Sequence, residues 1–358
     1  MRIQPYFGHR SDNRLVLSAR ALRSAKPQFE TSGRLRATHT MLAQFLSHEV
    51  RDLEVALEIA RPDSAPERHS AVTGKEGFVH FDIPLSEGWQ LPERTVWETV
   101  RLHWRNIHGE QEVTGHVLVP GSEAGIGVIS DIDDTIIETG ITGGVRSLMR
   151  NWRRVLQQMP EERIAVPGAD MFYRAIGGGW DAPEDLAAPG DRLPASKRPF
   201  FYVSSSPWNL FSYLVAFKRT RGLPLGPIHL RDWGLNRTTF GSGGHGQHKL
   251  DAIRGILEHH PSLRFVLIGD DSQGDLVAFA EIAKEFGNRI AAIFIRRVGA
   301  DFTAEEISAK ALIRDRGVTL WLGDSFAIEE AFLESAGLGH DSDAASVVEA
   351  TQAATDDD

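Results

Sequence analysis

The sequence predicts an α/β protein, a doubly wound parallel sheet with a cap insertion, preceded by a small, mostly-β sandwich domain. Three observations predict it. Up to about residue 120 the chain alternates apolar and polar side chains with a period of two. Past a linker marked by Pro and Gly, short apolar runs alternate with helical patterns. Finally, 358 residues exceed one ordinary domain and suit two, each able to bury a core.

Taken in order, Leu53, Val55, Leu57 and Ile59 alternate with Asp52, Glu54, Ala56 and Glu58, the pattern of a half-buried strand. Phe78–Ile83, Val96–Trp104 and Val113–Val119 repeat it, separated by turn formers such as Thr73-Gly74 and Pro84–Gly88. A helix over Ala37–Glu49 interrupts these strands. The run Pro120-Gly121-Ser122-Glu123-Ala124-Gly125 reads as the linker, so the first domain spans 1–122. In 123–337 the short runs Gly127–Ser130, Phe200–Val203, Ile228–Leu230, Phe265–Ile268 and Ala291–Ile295 read as buried parallel strands. A sheet of this kind carries its site at the C-terminal ends of the strands. Residues 136–198 are too long for one crossover and rich in Gly and Pro, which assigns them to a cap. Residues 338–358 are small, polar and acidic, the composition of a disordered tail.

Composition removes several function classes. Hydrophobic residues make up 41% and charged residues 25%, as in soluble globular proteins. No apolar run approaches the ~18 residues of a membrane span, and Met1–Pro5 lacks the layout of a secretory signal. The expected location is cytoplasmic. With no Cys there is no disulfide, no thiolate nucleophile and no Cys-ligated zinc. The net charge is −10, and the six acids of 341–358 leave −4 for the body. A mildly acidic body predicts no nucleic-acid partner.

The candidate chemistry lies in four segments. Val128-Ile129-Ser130-Asp131-Ile132-Asp133-Asp134-Thr135 is an apolar strand running into two acids two residues apart, with Thr135 placed to brace the turn. Two carboxylates at a strand end can divide labour between attack and proton transfer. A calcium loop also begins with acids two apart, but it needs Gly at 136 and Glu at 142, where this chain has Ile136 and Thr142. Second, Phe200-Phe201-Tyr202-Val203-Ser204-Ser205-Ser206-Pro207 is a strand ending in hydroxyls. Ser206 is expected to cap a helix opened by Pro207, a place that can hold phosphate. Third, Lys249 enters a helical run. Fourth, Phe265–Asp270, continuing through Asp271 to Asp275, is another strand ending in acids. Two such clusters at one switch point make a magnesium site of hard oxygen ligands.

This set, in this order, resembles the haloacid dehalogenase superfamily of phosphatases over roughly residues 125–300, which implies a Rossmann-like sheet of that type. Ile129–Thr135, Tyr202–Trp208, Leu230-Arg231-Asp232-Trp233-Gly234, Gly269-Asp270 with Asp275, and Ile295–Val298 are more closely similar to the catalytic domain of the actin-patch-protein type of phosphatidate phosphatase, a family with fungal and bacterial members. The resemblance implies that Asp131 attacks phosphorus to form an aspartyl-phosphate. It implies that Asp133 protonates the leaving alkoxide and then activates water. Magnesium is then expected on Asp131, Asp270 and the backbone carbonyl of Asp133. The resemblance likewise implies that Ser204 and Lys249 bind the phosphoryl oxygens, with Thr135 and Ser205 beside them, and that Asp275 steadies Lys249 or the metal shell. Asp271 departs from the small polar residue expected there, so both Asp270 and Asp271 are candidate ligands. The implied substrate is phosphatidate, converted to diacylglycerol. The same chemistry on a soluble phosphomonoester, or a non-catalytic lipid-binding module, are the alternatives.

Two other signals carry less, and a third is kept. Gly241, Gly243 and Gly246 satisfy a dinucleotide-type spacing without a preceding apolar strand, so they read as a loop delivering Lys249. His245, His248, His259 and His260 lack any spacing that specifies zinc and read as solvent-facing. The run 145–156 sets Val145, Leu148, Met149, Trp152, Val155 and Leu156 on one helical stripe, with Arg146, Arg150, Arg153 and Arg154 elsewhere. It reads as a cap helix, or as an element making peripheral contact with an anionic membrane that carries a phosphorylated lipid substrate.

Overall fold

The computed structural model describes residues 1–23, 49–61, 65–133, 135–136, 166, 169–181, 193–231, 245–272, 274–298 and 301–324. The helix expected over 37–49 (save Glu49), most of the cap, the arginine-bearing run 145–156 and the tail lie outside these residues. Contacts divide the chain into two units, Met1–Ser122 with Ala182–Ala195, and Glu123–Asp181 with Ser196–Asp358.

The first unit has strands β1 (Arg2–Pro5), β2 (Gly8–Arg10), β3 (Arg14–Leu22), β4 (Glu54–Ile59), β5 (Glu67–Val72), β6 (Phe78–Pro84), β7 (Val96–Asn106) and β8 (Gly109–Val119). They hydrogen-bond as one sheet in the order β1-β3-β2-β8-β7-β4-β5, with β6 on β3. The alternation decides which face is buried. Leu15 and Leu17 of β3, Val55 and Leu57 of β4, Phe81 of β6 and Leu102 of β7 share one core. Strands distant in sheet order therefore meet across that core, so the single sheet folds over on itself. A buried charge is tolerated at Arg10 because the Glu98 carboxylate accepts from it at 2.7 and 2.5 Å.

The second unit is built on β9 (Ile126–Asp131), β10 (Phe200–Pro207), β11 (Ile228–Arg231), β12 (Arg264–Asp270), β13 (Ile290–Arg296) and β14 (Thr319–Gly323). All neighbours are parallel, in the order β11-β10-β9-β12-β13-β14. The chain winds outward from β9 to β11, then returns to β12 and winds the other way. Strands β9 and β12 therefore lie side by side where the winding reverses, and their C-terminal ends open a crevice there. Their residues are buried almost throughout, which is why they read as continuous apolar runs.

Helices α1 (Ala169–Ile176), α2 (Phe211–Thr220), α3 (His245–His259), α4 (Asp275–Phe286) and α5 (Ala304–Asp315) accompany the sheet. Helix α4 buries Leu276, Phe279, Ala280 and Ala283, an i, i+3, i+4, i+7 stripe. Helix α5 starts on a capping box in which the Thr303 hydroxyl accepts from Glu306 N–H. Gly226 is required by packing, since a Cβ there would lie 1.9 Å from the Phe200 carbonyl oxygen. Among the described residues no helix is long and apolar enough to cross a membrane.

One expectation is corrected here. Ser206 caps no helix. It remains in β10, and the short 3-10 turn Trp208–Leu210 begins after Pro207 as its N-cap residue, with no side-chain cap. The Ser206 hydroxyl is engaged elsewhere.

Candidate active site

Asp131 ends β9 and Asp270 ends β12, so the reversal of winding sets two carboxylates at one crevice. Asp131, Asp270 and Asp275 each contribute an oxygen to a group whose members lie within 4.8 Å of one another, and all three are buried. Thr135 sits over this group. Its hydroxyl is 3.1 Å from Asp270 Oδ2 and 3.4 Å from Asp131 Oδ2, so its hydrogen serves Asp270 more closely.

Asp275 reaches the cluster because α4 starts directly behind β12. Its Oδ2 accepts the Asp270 backbone N–H at 3.3 Å. This requires Gly269, where a Cβ would meet Asp275 Oδ2 at 2.5 Å. Gly274, at φ 82, supplies the left-handed turn that starts the helix. The other Asp275 oxygen accepts from Lys249 Nζ. Lys249 projects from the first turns of α3, is 1% exposed, and lies 2.8 Å from Asp131 Oδ1.

Three buried carboxylates facing one ammonium leave the cluster electron-rich. Burial pushes the Asp131 carboxyl well above the usual range; Lys249 opposes this, while Asp275, Asp133 and Asp270 add to it. Burial, then Asp275, push Asp270 up to about 7, against Lys249 and the hydrogen bond from Ser272. For Lys249 burial acts downward, yet the fields of Asp131 and Asp275 outweigh it and hold the ammonium protonated. Carboxylates crowded this closely would share a cation more readily than they would all ionise alone, and the all-oxygen donor set suits a hard divalent cation.

Asp133 sits apart from that cluster, in a clasp of hydroxyls. Ser204 Oγ donates to its Oδ2 at 2.7 Å, and Ser206 Oγ reaches Oδ1 at 3.0 Å and Oδ2 at 3.2 Å. Two residues apart on an extended strand, the two serines share a face. Ser205, between them and out of phase, is buried. Asp271 is turned the other way. Its carboxylate accepts the Val298 N–H at 2.6 Å, and it does not join the three-carboxylate group.

Sequence reasoning missed two features. The first is Ser206 as a partner of Asp133, for which the two-residue spacing from Ser204 was the available signal. The second is a brace behind Asp131, where Ser130 Oγ donates to the Asp131 carbonyl at 2.6 Å and lies 2.7 Å from the Tyr173 hydroxyl. No local pattern marks Tyr173, 43 residues away on α1. The expected solvent-facing histidines are also corrected in part: His259 and His260 are buried. Burial, then His259 and Arg289, hold the His260 imidazole well below its usual range.

Residues 126–297, which contain every one of these side chains, match the family described as "Phosphatidate phosphatase APP1, catalytic domain". The chain is 34% identical over 175 residues to phosphatidate phosphatase APP1 of Saccharomyces cerevisiae, covering 49% of this chain and 26% of that protein. It is 30% identical over 182 residues to an uncharacterized protein of Schizosaccharomyces pombe, covering 50% of this chain and 26% of that protein. The chain thus spans about a quarter of the length of these relatives. A Bifidobacterium dentium beta-glucuronidase structure overlaps 89% of this chain and 59% of its own at 9% identity, with a TM-score of 0.23. A score that low carries no argument about fold or function.

Proposed function

We propose that the unit containing residues 126–297 is the catalytic domain of a phosphatidate phosphatase of the haloacid dehalogenase type, acting through an aspartyl-phosphate. The observation that carries this reading is the Asp131 carboxylate at the end of the central strand, ion-paired at 2.8 Å to buried Lys249 and facing Asp270. Burial and the neighbouring acids favour a protonated, non-nucleophilic Asp131, and Lys249 is the counter-charge that opposes them. A phosphoryl transition state needs positioning and charge neutralisation above all.

In this mechanism an Asp131 oxygen forms the new bond to phosphorus while the bond to the leaving alkoxide breaks. Asp133 donates its proton to that alkoxide, releasing the alcohol. Water then attacks the aspartyl-phosphate and gives a proton to Asp133. Inorganic phosphate leaves and the Asp131 carboxylate is restored. Lys249 and the Ser204 hydroxyl bind non-reacting phosphoryl oxygens, which are acceptors only. Asp131 and Asp270, with Asp275 adjoining, would hold magnesium, whose charge offsets that of the phosphate when bound. Asp271, turned to Val298 N–H, is left out of that ligand set.

The substrate is assigned from the family match, and a cytoplasmic enzyme working at a membrane surface is the setting that fits a lipid phosphate. Phosphate release should be measured from phosphatidate vesicles, lysophosphatidate and soluble phosphomonoesters, each with and without magnesium. Magnesium-dependent release from phosphatidate is the expected result. Release from soluble esters alone would move the substrate class, and release from none would reject the phosphatase reading.

A further inference from the structure

We propose that Ser206 is a positioning residue for Asp133, holding its carboxyl in place once Ser204 turns to the substrate. The inference rests on the phosphatase reading above and assigns a role that reading leaves open. A serine hydroxyl has one hydrogen to donate, and phosphoryl oxygens only accept. Ser204 Oγ gives its hydrogen to Asp133 Oδ2 at 2.7 Å and accepts Ser206 N–H at 3.0 Å. It can hold a phosphoryl oxygen only by withdrawing that hydrogen from Asp133.

Ser206 is built to stay. Its side chain is fully buried and its hydroxyl reaches both Asp133 oxygens, at 3.0 Å to Oδ1 and 3.2 Å to Oδ2. The pairing of β10 with β11 shifts register between Ser204 and Pro207, and Pro207 fixes the backbone that follows at φ −72. Substrate binding would therefore free Oδ2 to face the leaving-group oxygen, while Ser206 keeps hold of Oδ1. A general acid needs such support, because misplacement by about 1 Å can cost about 100-fold in rate.

Leaving-group dependence separates this role from plain packing. An alkyl phosphate needs a proton on its departing oxygen, whereas p-nitrophenolate leaves without one. The measured quantity is kcat/KM, which covers the steps up to departure of the leaving group. Ser206→Ala should lower it about 10- to 100-fold on an alkyl phosphate and less than about threefold on p-nitrophenyl phosphate, below the full worth of the acid itself. Ser206→Thr, which keeps the hydroxyl, should recover most of the loss. Ser206→Cys, close in size but a weak donor, should behave like Ser206→Ala, and it serves if the smaller side chain impairs folding. Added to Asp133→Asn, Ser206→Ala should cost nothing further, since it acts through Asp133. Equal losses on both substrates, or a full additional loss in the double variant, would overturn the proposal. Wild-type protein that turns over neither substrate would reject the phosphatase reading, and this inference with it.

Discussion

Lys249 Nζ lies 2.8 Å from Asp131 Oδ1, and each side chain is only 2% exposed. The same ammonium also donates to Asp275. Lys249→Met would leave three buried carboxylates without this cation. Losing one partner of a buried pair costs about 3–5 kcal/mol, most of it from the charge left behind. We expect Lys249→Met to unfold earlier than wild type in chelator and to recover part of the difference when magnesium is added. Thermal melts under both conditions check this. An unchanged melt in chelator would mean that the carboxylates are neutral and the pair holds little.

Asp131→Asn is expected to remove turnover while the fold survives, because an amide of nearly the same shape has no anionic oxygen to attack phosphorus. Asp133→Asn should retain trace activity, down by about 10²–10⁴-fold. Rapid quenching with labelled substrate should place phosphate on Asp131 in wild type and none in Asp131→Asn. Substantial turnover by well-folded Asp131→Asn would exclude the covalent route.

Asp270 and Asp271 should behave as opposites despite being neighbours. Asp270 faces Asp131 and Asp275, whereas Asp271 accepts from Val298 N–H. Asp270→Ala should weaken magnesium binding severely, and Asp271→Ala should leave it within a few-fold of wild type. Magnesium titration by calorimetry reads both directly. A binding protein also gains stability with free ligand in a calculable way, so the rise in melting temperature offers an independent measure. Gly269→Ala should resemble Asp270→Ala, because its Cβ would displace the Asp275 carboxylate.

How much of this was legible beforehand follows from the range of the interactions. Strands announce themselves locally. Val55, Leu57 and Ile59 face the core because a pleat alternates, and Val266 to Ile268 are apolar throughout because β12 is covered on both faces. Carboxylates at strand ends are equally visible, which is why Asp131, Asp133 and Asp270 could be named. What the pattern cannot carry is direction at a strand's end. Ser206-Pro207 has the chemistry of a helix start, yet β10 continues through both, and the hydroxyl turns to Asp133, 73 residues earlier. Asp270 and Asp271 are chemically identical in sequence, and only the path of the chain after β12 separates them. His260 is polar by type but sits beside Phe201, ring centroids 5.0 Å apart, in a space that only the folded sheet creates.

Lys218 offers a test of stability that is independent of catalysis. It lies on α2, is 1% exposed, and its Nζ has no hydrogen-bond partner among the described residues. The nitrogen stands 3.5 Å from the centre of the Tyr202 ring. Burial pushes its pKa well below the usual lysine value. Between that lowered value and the unfolded value of about 10.4, the unfolded chain takes up a proton that the folded chain refuses. Stability therefore rises with pH across this window and is diminished below it. A ring face returns about 2 kcal/mol or somewhat more to a desolvated cation, less than the several kcal/mol that burying it unpaired costs. Lys218→Met keeps the length of the stem and removes the titrating group. It should stabilise the protein at pH 7 by about 1 kcal/mol or more, and its advantage should shrink as pH approaches 10. Denaturant unfolding of both proteins at pH 7, 8.5 and 10 measures the gap. A variant less stable at pH 7 would mean that the cation over Tyr202 contributes net stability.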